Sequence, residues 1–64
     1  MRYIQVTKRT DGILAYINVE YITSVSSYLN DGKEVTTIDC NKYDYWEVRE
    51  TVDEVMEMID EVSK

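Results

Sequence analysis

The sequence contains no histidine, no proline and no phenylalanine, with one cysteine and two glycines among its 64 residues. Without histidine, acid–base catalysis by an imidazole and Cys–His nucleophile pairs are excluded. The lone Cys40 cannot form a disulfide within the chain, nor supply the roughly four nitrogen and sulfur ligands of a structural zinc site. It lies in an alternating stretch and reads as a small apolar strand residue, and no base but Lys42 stands beside it to activate a thiolate. Gly12 and Gly32 fall in separate turns, so there is no glycine-rich phosphate loop. The absence of proline removes proline-rich ligand motifs and rigid linkers. No run approaches the ~18 apolar residues of a membrane span, and no charged-then-apolar signal segment opens the chain. A single unpaired cysteine then fits a reducing, cytoplasmic compartment.

What is present is enough for one folded domain over residues 1–64. Hydrophobic residues make up 44% of the chain, which is too many for a disordered acidic tail. Thirteen acids against seven bases give a net charge of −6, and this surplus opposes direct binding to nucleic-acid phosphates. The charge is unevenly placed. Residues 1–43 hold five acids and five bases, whereas residues 44–64 hold eight acids against Arg49 and Lys64. The chain is a neutral front half followed by an acidic end.

The front half alternates as strands do. Residues 3–7 place Ile4 and Val6 on one face. The polar stretch from Lys8 ends in Asp11-Gly12, a turn pair that tolerates positive φ, and leads to a second strand over 13–17. Both faces of that strand are apolar, Ile13, Ala15 and Ile17 on one and Leu14 and Tyr16 on the other, which suits a strand covered on both sides. Asn18 can bond to the amides just ahead of it and start a short 3₁₀ turn. Further strands are expected over 22–28, 34–40 and 43–48, with turns at Leu29–Lys33 and Asn41-Lys42.

A helix is expected over 52–62. Thr51-Val52-Asp53-Glu54 is a T-x-x-E capping box. Val52, Val55, Met56, Ile59 and Val62 then form an apolar stripe, with Met58 on its flank and the acids opposite. The predicted fold is α+β: a five-stranded antiparallel meander or small SH3-like barrel followed by one C-terminal amphipathic helix. So small a core rarely yields more than about 3–5 kcal/mol, and a homodimer through an edge strand or the aromatic face would add to it.

Two features stand out as candidate surfaces. Tyr43, Tyr45 and Trp46 form an aromatic run. Tyr43 and Tyr45 share one strand face and suit either core filling or a protein-binding face; Trp46, on the opposite face, reads as core. The helix acids Asp53, Glu57, Asp60 and Glu61 form either a solvated face or a docking surface for a basic partner. Asp39, Asp44 and Glu47 match no calcium loop and read as exposed strand and turn charges. Arg49 beside Glu50 reads as a surface pair. No residue is assigned a catalytic or metal-binding role, and no cofactor is expected.

Several segments occur in a familiar order: Ile4 to Thr7, an Asp-Gly hairpin, Ile17 to Ile22, Val35 to Ile38 and the junction Val48-Arg49-Glu50-Thr51-Val52-Asp53-Glu54-Val55. The frame resembles the small FlbD/SwrD-type flagellar and swarming-motility proteins, and small phage and mobile-element proteins are similar to it too. The resemblance implies a strand-rich body closing into an acidic helix, and a role as a motility accessory protein. The chain departs from that frame in lacking a Pro-Asp-Thr before the fourth strand, in its heavier Tyr/Trp cluster and in having no basic C-terminal end.

The function expected from the residues is a non-enzymatic, acidic cytoplasmic module that docks on a larger protein with a basic surface, through the helix acids with Tyr43 and Tyr45 as anchors. A phage- or mobile-element-encoded inhibitor of a nucleic-acid-binding host protein is the form considered first. The alternatives are the motility accessory role and an oligomeric sponge for a small nucleotide-like ligand. No direct contact with nucleic acid or membrane is expected.

Overall fold

The computed structural model describes residues 2–41 and 44–64. Strands β1 (Tyr3–Thr7), β2 (Leu14–Asn18), β3 (Ile22–Asn30), β4 (Lys33–Cys40) and β5 (Asp44–Val48) precede one helix, α1 (Val52–Val62). A 3₁₀ turn over Val19–Tyr21 separates β2 from β3. The fold is α+β with two antiparallel sheets, one of order β1-β2 and one of order β3-β4-β5.

The strands therefore divide into two sheets rather than one continuous five-stranded meander. The division falls at Asn18, whose side-chain oxygen accepts a hydrogen bond from the Glu20 amide at 3.0 Å and turns the chain before β3 can pair with β2. The sheets meet at a seam between the end of β1 and the end of β5. Lys8 bridges Val48, with Arg9 N donating to the Glu47 carbonyl and Arg49 N to the Thr7 carbonyl, both at 2.9 Å.

Turn chemistry sets the hairpins. The β3–β4 turn is tighter than the expected Leu29–Lys33 loop: both strands continue to the Asn30–Lys33 pair, leaving only Asp31 (φ 53°) and Gly32 (φ 77°) between them. Positive φ at both central residues matches the right-handed twist of the flanking strands, so the ladder runs to its end. In the first hairpin the Asp11 carboxylate accepts from Ile13 N at 3.0 Å, and this bond holds Asp11 below the usual carboxylate range. Lys42 and Tyr43, assigned above to a turn and to the start of the fifth strand, lie outside the described residues.

The core is aliphatic. Ile4, Val6, Ile17, Ile38, Cys40, Val48 and Val55 are buried together, with Trp46, Met58, Ile59 and Val62 packed half-buried against them. β2 is covered on one side only, because Leu14 and Tyr16 are 58% and 67% exposed. Ile13 is exposed as well and precedes the strand. The helix stripe is rotated from its expected setting. Val55 is fully buried and sets the inward direction; Met58 lies about 60° round from it and Met56 about 100° round. Met58 accordingly packs on the core, while Met56 is 49% exposed. Among the described residues no helix is long and apolar enough to cross a membrane.

Candidate functional site

Two concave surfaces carry the residues of interest. The first is a groove of about 440 Å³ between β1 and α1. Ile4, Met58 and Val62 give it an apolar floor, Tyr3 and Gln5 one wall, and Glu50, Glu54, Glu57 and Glu61 the acidic edge. Glu54, Glu57 and Glu61 come to one side by helical spacing.

The local sequence explains why α1 starts where it does. Thr51 Oγ1 accepts from Glu54 N at 3.1 Å, and a Glu54 carboxylate oxygen accepts from Thr51 N at 2.9 Å, which completes the capping box. Glu50 reaches back to β1 instead of pairing with Arg49. Its carboxylate accepts from Thr7 N at 2.9 and 3.1 Å and from Thr7 Oγ1 at 2.9 Å, while Arg49 Nε donates to the Arg9 carbonyl at 3.3 Å. Glu50 and Glu54 thus hold structure. Glu61 pairs with Lys64 Nζ at 3.1 Å on an exposed turn, and Glu57 has no ion pair among the described residues.

The described residues expected to dock do not all line one cleft. Glu57 and Glu61 line the groove; Asp53 and Asp60 are exposed, each about one helical turn from Glu57, and lie outside the lining. Tyr45 lies in a different cleft and is 65% exposed, so it does not fill the core. Tyr43 lies outside the described residues.

That second cleft, of about 520 Å³, gathers Tyr3, Tyr16, Tyr21, Tyr45 and Trp46 from β1, β2, the 3₁₀ turn and β5. Asn18, Asn41 and Asp44 supply polar groups, and Ile17 and Cys40 are its buried members. Tyr3, Tyr16, Tyr21 and Tyr45 are all exposed, and no spacing in the sequence could bring four elements to one opening. Trp46 is half-buried, and Lys8 Nζ stands 5.9 Å from its ring centroid.

Nucleophilic chemistry has little support. Burial pushes the Cys40 thiol up, and the Asp44 and Asp39 carboxylates add to that rise. Among the described residues no three His, Cys, Asp or Glu side chains converge as metal ligands would. No protein-family model matches the chain, and no curated protein or solved structure matches it.

Proposed function

We propose that the chain is a non-enzymatic binding module that seats a basic, amphipathic segment of a larger protein in the groove between β1 and α1. The observation that supports this reading is the make-up of the groove: an apolar floor beside an edge of glutamates. A segment carrying both apolar and basic side chains complements both parts. Glu57 and Glu61 make the direct contacts, and the −6 charge of the whole chain speeds encounter. Asp53 and Asp60 add to that field without touching the segment. A basic segment of this kind is what many nucleic-acid-binding proteins use to hold phosphates, so inhibition of such a protein in a reducing, cytoplasmic setting belongs to the same proposal.

Isothermal titration of the full chain with a synthetic peptide of Lys and Leu at helical spacing tests it. Affinity should fall at least about tenfold between low and high salt, yet remain measurable because of the apolar floor. Equal affinity at both salt concentrations, or no binding at either, would count against the reading.

The exposed edge of β3 favours self-association. Its nine residues include no charge and no proline, the usual guards of an edge strand. A second copy pairing along β3 would extend the three-stranded sheet across a two-fold axis. The Lys8–Val48 bridge supports treating the two sheets as one small SH3-like barrel with β3 at its open side. Sedimentation should give a dimer, and Ser26→Lys should shift it to monomer; a monomer at all concentrations would oppose this.

A further inference from the structure

The aromatic cleft is a second site with a different chemistry, and we infer that it binds a quaternary or methylated ammonium group. Tyr16, Tyr21 and Tyr45 are each about two-thirds exposed and Tyr3 nearly half. Folding gains little from rings left this open, yet all four residues line one cleft together with the half-buried Trp46. A cluster of exposed aromatic rings on a small domain is the pattern of a binding surface.

Charge selects the ligand class. The lining includes no Lys or Arg among the described residues, and it does include the Asp44 carboxylate. A phosphate or carboxylate ligand would meet aromatic ring faces and a like charge. A cation meets negative ring faces and an opposite charge. The Trp46 ring already holds Lys8 Nζ at 5.9 Å, although Lys8 itself stands outside the lining. Among cations, a simple ammonium is strongly hydrated and gains little by leaving water. A methylated ammonium has an apolar methyl surface around its charge, so rings can replace its water at small cost. The cleft, at about 520 Å³, has room for the headgroup together with what it is attached to.

The same headgroup can come from a free small molecule or from a methylated lysine on a protein tail. The test therefore uses four probes on the full chain: choline, its neutral isostere with a tert-butyl group in place of trimethylammonium, a trimethyl-lysine peptide and the unmethylated peptide. Trp46 fluorescence and ring-current shifts of the methyl protons are the readouts. Choline or the methylated peptide should give a saturable change, with the neutral isostere and the unmethylated peptide weaker by about tenfold or more. Saturation by choline identifies a free cation as ligand, and saturation by the peptide alone identifies a modified tail. Tyr45→Ala and Asp44→Asn, both at exposed positions, should each weaken binding several-fold with the circular dichroism unchanged. Equal binding of the neutral isostere, no saturation with either cation, or binding indifferent to both substitutions would overturn the assignment. Among the described residues the cleft and the groove share only Tyr3 in their linings, so the two readings fail separately.

Discussion

Glu50 and Thr7, 43 residues apart, are joined by three hydrogen bonds at once, through the Thr7 amide and hydroxyl. The same Thr7 accepts from Arg49 N through its carbonyl. Every polar group of Thr7 that faces the junction is thereby tied to the two residues that lead into α1. This clasp places the first turn of the helix beside β1 and so fixes one edge of the acidic groove.

Removing it should be costly. Charge-assisted, half-buried hydrogen bonds contribute about 1.5–3 kcal/mol, so Glu50→Ala should lower unfolding free energy by about 2 kcal/mol. Thr7→Val deletes only the hydroxyl and should cost about 1 kcal/mol. The double variant should lose less than the sum, because both changes remove one shared bond. Urea denaturation measures all three. A Glu50→Ala variant within about 0.5 kcal/mol of the parent would mean that the clasp contributes little.

Tyr28 and Glu47 make stability depend on alkaline pH. The Tyr28 hydroxyl donates to the Glu47 carboxylate across the outer face of the β3-β4-β5 sheet, and this bond raises the phenol above its ordinary value near 10. The protonated phenol is the form that the fold favours. Its contribution is therefore complete below the unfolded value and is lost as pH rises through the raised native one. Melting temperatures of the parent and of Tyr28→Phe should differ by a constant amount up to about pH 9 and converge above about pH 10. A difference that holds steady to high pH would contradict this.

Cys40 should be slow to react. It is 7% exposed and its thiol is pushed up by burial, so a disulfide reagent at neutral pH should modify it at least about a hundred times more slowly than free cysteine. Denaturant should abolish the protection. Rapid modification of the folded chain would show that the core opens around β4 far more readily than its packing implies.

Features governed by neighbouring residues were legible in the sequence. The Thr51–Glu54 box, the Asn18 cap and the positive φ of Gly12 in the first turn each need only residues within reach of one another along the chain. Features governed by distant residues were not. Nothing in the vicinity of Glu50 points to Thr7, and pairing it with adjacent Arg49 was the local reading. The helix stripe was legible to within one residue of rotation; the preference for Met58 over Met56 depends on where β1 and β3 lie, which periodicity does not contain. For the same reason helical spacing makes the four helix acids neighbours but does not say which of them border a groove; packing against β1 puts Glu57 and Glu61 beside an apolar floor and leaves Asp53 and Asp60 outside the lining.

That division gives the most direct test of the docking proposal. Glu57→Lys with Glu61→Lys, and Asp53→Lys with Asp60→Lys, change the net charge of the chain by the same amount. Only the first pair alters the groove. Titration of each double variant with the Lys/Leu peptide at one salt concentration separates local contact from bulk charge. The groove pair should weaken binding by about a hundredfold, and the outward pair by no more than a few-fold. Equal loss in the two variants would contradict the account, because the acidic end would then act as a diffuse charge and not as a site.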